Sequence, residues 1–168
     1  MSAMPRPGDV LAGRYVLVEV LGEGASGRVF RARDRQNDRE VAVKVMTDER
    51  AARAEAAIAG GIAHPRLVSA IATGRAPAGT LIVLELAPGD PVAAAVAPGD
   101  AEALAQIADQ LLEALGFLHA NGLVHGDVKP DNVRVARDGG RLSALLLDLG
   151  LAGAAARGGT NVYAAPEA

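Results

Sequence analysis

The sequence predicts an α+β fold: a five-stranded antiparallel lobe with one inserted helix, then a mainly helical lobe that is incomplete. Two observations predict it. Between Arg14 and Ala87, apolar runs of strand length alternate with clusters of turn residues and are interrupted once by an Ala-rich stretch. From Asp100 onward, apolar residues recur instead at helical spacing. A chain of 168 residues can bury a core of its own, and with hydrophobic residues at 50% but aromatics at 2%, Ala, Val and Leu must do most of the packing.

The runs "RYVLVEVLG", "GRVFRARD" and "REVAVKVM" read as three antiparallel strands joined by a Gly-rich turn and a "RQND" turn. Arg28, Arg31, Arg33, Arg35 and Arg39, interspersed with Asp34, Asp38 and Glu40, read as one solvated face of a hairpin rather than a phosphate-binding patch. Thr47 or Asp48 can cap a helix through "ERAARAEAAIAGGIA", which Gly60, Gly61 and then Pro65 close. Two more strands follow at "LVSAIATG" and "TLIVLELA", and the Pro- and Gly-rich stretch 88–99 reads as a linker between the lobes. Asp100 caps the clearest helix, in which Leu104, Ile107, Leu111, Leu112, Leu115 and Leu118 form a core-packing stripe up to "HANG". Short strands at "NVRV" and "ALLLDLG" come next. The domain organisation expected is an N-terminal extension over 1–13, a first lobe over 14–87 and a partial second lobe over 88–168.

Composition removes several function classes. With no Cys there are neither disulfides nor thiolate-bound zinc, which fits a reducing compartment. A net charge of -3 gives no long-range attraction to nucleic acid or acidic lipid. The N-terminus "MSAMPRPGDV" lacks the apolar run of a signal peptide, and no stretch has the apolar length of a membrane span. The expectation is a cytoplasmic protein with no nucleic-acid partner.

Four stretches carry chemistry. In "GEGASGRVF", Gly22, Gly24 and Gly27 form a G-x-G-x-x-G-x-V run ending on Val29, and glycine there lets backbone amides approach phosphate oxygens with no Cβ in the way. A strand follows the run, not the helix that a dinucleotide-binding turn requires. In "VAVK", Lys44 follows Ala42 on a strand that should be buried, and a buried ammonium needs anionic partners: phosphate, and Glu55 on the next helix. "HGDVKPDNV" supplies His125, Asp127, Lys129 and Asn132, and "LLLDLG" supplies Asp148 at a strand end. An Asp and an Asn five residues apart plus a second Asp make an oxygen-ligand set suited to Mg²⁺ with a phosphate.

Together and in this order, the glycine run, the strand Lys, the helix Glu, the catalytic loop, the metal-binding Asp and the closing "APE" resemble the catalytic domain of a eukaryotic-type Ser/Thr protein kinase, of the kind also found in bacteria. The resemblance runs from about Arg14 to Ala168. It implies a protein kinase-like fold and transfer of the γ-phosphate of ATP, with Mg²⁺, to Ser or Thr of a protein substrate. Gly22, Gly24, Gly27, Val29 and Ala42 would surround the nucleotide. Lys44 would hold the α- and β-phosphates and be held by Glu55, chosen over Glu49 by its distance from His64 and Pro65. Glu85 and Ala87 would offer backbone groups to adenine, with Leu84 as gatekeeper. Asp127 would accept the substrate hydroxyl's proton, Lys129 would steady the γ-phosphate, and Asn132 and Asp148 would hold Mg²⁺. Lys129 and Thr160 resemble the Ser/Thr-directed branch of the family.

The sequence also departs from the family. "HGD" puts Gly126 where an Arg usually pairs with an activation-loop phosphate, and "LAGAAARGG" contains no hydroxyl, so the resemblance implies no switching by phosphorylation there. "HGD" also resembles the aminoglycoside-type phosphotransferases, which stand as an alternative against the full glycine run, Lys129 and "APE". Arg134 falls where the family usually places an aliphatic residue beneath adenine; its guanidinium would stack on the base or its stem would line the pocket wall. Leu149 of "DLG" replaces a Phe. The family continues past "APE" with further helices, on which the stripe Leu104, Ile107, Leu111 and Leu115 would partly pack. Three readings of the end at Ala168 stay open: a fragment, a short product completed by a partner chain, or a decayed gene whose product binds nucleotide weakly or not at all; the alternative function is then a catalytically weak or inactive nucleotide-binding or interaction module.

Overall fold

The computed structural model describes residues 4–24 and 27–148. They fall into two compact units, one within Met1–Ile62 and Ser69–Leu86 and the other within Ala63–Val68 and Ala87–Ala168. No helix among the described residues is long and apolar enough to cross a membrane.

The first unit is an antiparallel sheet built from β1 (Val10–Leu11), β2 (Tyr15–Gly24), β3 (Gly27–Asp34), β4 (Arg39–Met46), β5 (Ala70–Ala76) and β6 (Gly79–Glu85), in the order β1-β2-β3-β4-β6-β5. The five expected strands are joined by a sixth, β1, drawn from the stretch before Arg14. The Gly8 amide donates to the Leu17 carbonyl and the Leu17 amide to the Asp9 carbonyl, both at 2.9 Å, so this short strand is tied to β2. Strand alternation divides β4 between two cores, which is why all of Val41 to Met46 is buried. Val41, Val43 and Val45 join Leu17, Phe30, Ala32, Leu81 and Val83 on one face. On the other, Met46 and Ile82 pack against Ala52 of helix α1 (Glu49–Gly61). Asp48 caps α1, its carboxylate accepting from the amides of Arg50 and Ala51 at 2.9 and 3.0 Å.

The β2–β3 end is held by a buried carboxylate. Asp34, 0% exposed, takes both Arg14 Nε and Nη2 at 2.6 and 2.7 Å and caps the following turn through the Gln36 amide and Asn37. The Arg14 guanidinium holds its carboxyl well below the usual carboxylate range. Part of the arginine series is the solvated face expected: Arg31 pairs with Glu19 and Glu40, and Arg33 with Asp38. Arg28 is not on it. An odd number of strand positions separates it from Arg31, so it lies across the sheet, bound to both oxygens of Glu23.

In the second unit a three-stranded sheet of β7 (Asp90–Pro91), β8 (Val133–Asp138) and β9 (Arg141–Leu146), in that order, carries helix α3 (Ala101–Ala120). The stretch 88–99 is therefore more than a linker, since it holds β7 and the one-turn helix α2 (Val92–Ala95). Asp100 caps α3 by accepting from the Ala103 amide at 3.0 Å. The helix ends in a Schellman motif: Gly122, at φ 72, donates to the His119 carbonyl and Leu123 to that of Leu118. Its buried face is Ala103, Ile107, Ala114 and Leu118. Of the expected stripe, Ile107 and Leu118 lie on this face and Leu111 and Leu115 are half-buried, so the correction concerns Leu104 and Leu112. Leu104 and Leu112 are 48% and 64% exposed, because the small residues Ala103 and Ala114 face the sheet in their place. Gln110 binds α3 to the edge strand, its amide donating to the Leu142 carbonyl and accepting from the Ala144 amide at 3.0 and 2.8 Å.

Candidate active site

In the first unit, the register Val29↔Lys44 and Ala42↔Leu84 places Val29, Ala42, Lys44 and Leu84 on one face of the sheet, the face that carries α1. Lys44 and Glu55 are 2% and 3% exposed, and the Lys44 ammonium donates to Glu55 Oε1 and Oε2 at 2.8 and 2.9 Å. Glu49, at the exposed start of α1, takes Arg53 at 2.6 Å and also Arg75, and these cations hold its carboxyl below the usual range.

The three glycines differ in what the fold asks of them. Gly27 has φ 136, and a Cβ there would lie 2.3 Å from the Val45 carbonyl oxygen, so the β3–β4 approach itself requires glycine. Gly22 and Gly24 have neither a positive φ nor any atom within 4 Å of a built Cβ. Nothing among the described residues demands glycine at those two positions. Glu85 ends β6, and its amide donates to the Ser69 carbonyl at 3.0 Å. Ala87 is half-buried, at the start of the second unit's main stretch.

In the second unit, the loop before β8 holds its polar side chains by local bonds. Lys129 Nζ lies 2.7 Å from Asp127 Oδ2, and Asn132 Nδ2 donates to the same oxygen at 3.1 Å and to the Asp127 carbonyl at 2.8 Å. This amide orientation keeps Asn132 Oδ1, the atom a hard cation binds, out of both bonds. His125 is 1% exposed. The Asp127 amide donates to its Nδ1 at 3.2 Å, which leaves the proton on Nε2, 2.9 Å from the Leu147 carbonyl. Burial pushes the His125 pKa below its ordinary value, with the Leu147 carbonyl acting in the opposite direction, so the ring is neutral.

Leu147 is the member of this arrangement that the sequence does not announce. Its carbonyl takes His125 and its amide donates to the Asn132 carbonyl at 2.8 Å, so it ties the loop to the end of β9 through backbone alone. No side-chain pattern marks such a role. Asp148 follows, half-buried and at φ 57, a left-handed conformation that Asp tolerates better than most residues and that recurs at functional positions. Gly126 has φ 79, so the residue where the family carries Arg sits here in a conformation glycine takes without strain. No group of three His, Cys, Asp or Glu side chains among the described residues is spaced to hold a metal by itself. Asn132 Oδ1 and the Asp148 carboxylate are oxygen donors of the type a hard cation takes. Leu149, Thr160 and the stretches "LAGAAARGG" and "APE" lie outside the described residues.

Comparison with known proteins identifies the family. Residues 15–168 match the family model of the protein kinase domain. CBL-interacting protein kinase 19 of Oryza sativa subsp. japonica is 33% identical over 149 residues, covering 83% of this chain and 29% of that protein. The serine/threonine-protein kinase PknB of Mycobacterium tuberculosis is 35% identical over 167 residues, 90% of this chain and 26% of that protein. The DNA damage-responsive serine/threonine-protein kinase RqkA of Deinococcus radiodurans is 36% identical over 139 residues, 76% of this chain and 21% of that protein. The chain thus spans well under half the length of these relatives, and within that span it belongs to the protein kinase domain family.

Proposed function

We propose that this chain carries the ATP-binding and phosphoryl-transfer residues of a Ser/Thr protein kinase. The observation that carries the reading is the Asp127 carboxylate, oriented by Lys129 at 2.7 Å and Asn132 at 3.1 Å on the same oxygen. A carboxylate held in this way can take the proton of an attacking hydroxyl while the neighbouring ammonium offsets charge on the group being transferred. Bound MgATP would supply the phosphoryl group. Gly22, Gly24 and Gly27 would lie over its phosphates, Lys44 would hold two of them with Glu55 fixing the ammonium, and Asn132 and Asp148 would hold the metal. The relatives' names, all those of protein kinases, support a protein hydroxyl as acceptor.

The test is transfer of labelled phosphate from ATP by the chain and by Asp127→Asn. A basic protein and an aminoglycoside serve as alternative acceptors. The reading expects protein labelling that falls by about 10²–10⁴-fold in Asp127→Asn. Labelling that Asp127→Asn does not change would mean that the chain is a binding module and the signal a contaminant. Labelling of the aminoglycoside alone would make it a small-molecule phosphotransferase.

A further inference from the structure

The two arms of the glycine hairpin are supported unequally. β1 pairs with β2 at Tyr15 and Val16, so over residues 18–24 the outer edge of β2 has no neighbouring strand among the described residues. The β2–β3 register also shifts twice, between Leu17 and Glu19 and between Val20 and Gly22, which leaves Val18 and Leu21 without partner residues on β3. The β3 arm is secure. It pairs residue for residue with β4, and Gly27 lies close against the Val45 carbonyl.

Beyond the ladder, Arg28 joins the weak arm to the strong one. It stands directly opposite Glu23, and its Nη2 donates to both carboxylate oxygens at 2.6 and 2.7 Å. The arginine is the anchored member, with 24% of its side chain exposed against 59% for Glu23. Its Nη1 donates to the Pro5 carbonyl at 3.5 Å and its Nε is closed to solvent. Gly22 stands opposite Val29, on the face of Lys44, whereas Glu23 and Arg28 lie on the other face with Phe30. The pair therefore does not face a ligand on the Lys44 side and acts through the backbone it holds.

We propose that Arg28 is a positioning residue: by clasping Glu23 it fixes the backbone of residues 22–24 where the phosphates of a bound nucleotide are received. The inference rests on the nucleotide-binding reading of the glycine run and adds to it the side chain that sets the geometry of that run. Glycine leaves a backbone free to sample many conformations, and amides placed beforehand bind an anion without the cost of ordering them. An exposed ion pair adds little to global stability, so the effect falls on this arm and on the phosphate end of the ligand.

The experiment uses the whole chain, Arg28→Gln, Arg28→Lys, Glu23→Gln and the double variant Arg28→Gln with Glu23→Gln. Arg33→Gln, which breaks the exposed pair with Asp38 at the far end of β3, is the control. ATP and adenosine each displace a fluorescent ATP analogue in a titration, and a thermal melt checks that every variant folds. Arg28→Gln and Glu23→Gln should each weaken ATP by about 2- to 5-fold and leave adenosine unchanged. The double variant should lose no more than either single one, Arg28→Lys should recover part of the loss, and Arg33→Gln should have no effect. Tighter ATP binding by Glu23→Gln would show that the two charges act on the phosphates directly, and would overturn the proposal. Equal weakening of ATP and adenosine would also overturn it, by making the pair a support of the whole first unit. If the unaltered chain binds no ATP, the nucleotide-binding reading fails and takes this one with it; if it binds ATP and Arg28→Gln is silent, only this one fails.

Discussion

In the first unit, Lys44 and Glu55 keep only 2% and 3% of their side-chain surface, and their geometry is set by a strand buried on both faces and by helix α1. In the second unit, Lys129 and Asp127 keep 22% and 14%, and theirs is set by bonds from His125, Asn132 and the backbone of Leu147. One charged pair is fixed by burial and the other by local hydrogen bonding. Where burial fixes a charge, removing one partner alone costs stability as well as chemistry. Where a loop fixes it, a single substitution can remove the chemistry and leave the stability.

The largest effect that could break this contrast is expected at Lys44. Lys44→Met leaves the Glu55 carboxylate buried without its bidentate partner and should destabilise the chain by about 3–5 kcal/mol. Adding Glu55→Leu should recover most of that loss without restoring phosphoryl transfer, because two apolar side chains can replace a buried pair. Asp127→Asn should remove transfer while shifting stability by less than about 1 kcal/mol. Urea unfolding of the four proteins decides it: equal losses in Lys44→Met and Asp127→Asn would mean that the two sites are held alike.

The glycines sharpen the same point within one motif. Gly27→Ala must be strained at φ 136 and must push against the Val45 carbonyl, and should lose about 1–3 kcal/mol. Gly24→Ala meets no atom within 4 Å and should leave stability within about 0.5 kcal/mol, while weakening ATP binding. Thermal melts with and without MgATP separate the two. A stability loss in Gly24→Ala as large as that in Gly27→Ala would mean that the fold, not a ligand, demands both.

Acidification should separate the units. The His125 pKa lies below its ordinary 6.5, so the neutral ring's contribution to stability is complete above that pH and is lost as the pH falls below it. The Asp34 pKa is depressed instead, so its contribution is complete above about 3.8 and is lost only at lower pH. Hydrogen exchange at pH 7.5 and 5.5 should show protection falling around Asp127, Asn132 and Leu147 while the β2–β3 end keeps its protection. His125→Asn should flatten the change. Equal loss in both regions would assign it to some other group.

How much of this was legible in the sequence depends on whether a feature is local. The five long strands, both caps at Asp48 and Asp100 and the end of α3 at Gly122 follow from periodicity and from the few residues able to bond a helix terminus. So does the set of chemical residues, since each sits in a short motif. The pairing of Lys44 with Glu55 rather than Glu49 needed the distance to His64 and Pro65, and the structure adds that Arg53 and Arg75 occupy Glu49. What escaped is non-local. β1 comes from residues without strand periodicity, recruited by the edge of β2. Leu147 acts through its backbone, and Gly27 meets a carbonyl eighteen residues away in sequence.

The stripe on α3 shows the limit most clearly and gives the smallest effect. Helical spacing finds Ile107 and Leu118 but cannot tell that Ala103 and Ala114, rather than Leu104 and Leu112, share their buried face. The row Ala103, Ile107, Ala114 and Leu118 is buried, whereas Leu112 keeps 64% of its surface. Leucine is the bulkier residue, yet alanine allows the helix to lie close enough for Gln110 to reach both backbone groups of β9. Leu112→Gln should therefore change the chain's stability by less than about 0.5 kcal/mol. The smaller edit Ile107→Val, removing a single methylene from a residue 4% exposed, should cost about 0.5–1.5 kcal/mol. Measured side by side in urea, the polar substitution of the large residue should be milder than the trimming of the buried one. The reverse order would put the α3 face where the leucine spacing alone suggests it, and would remove the packing on which the Gln110 clasp depends.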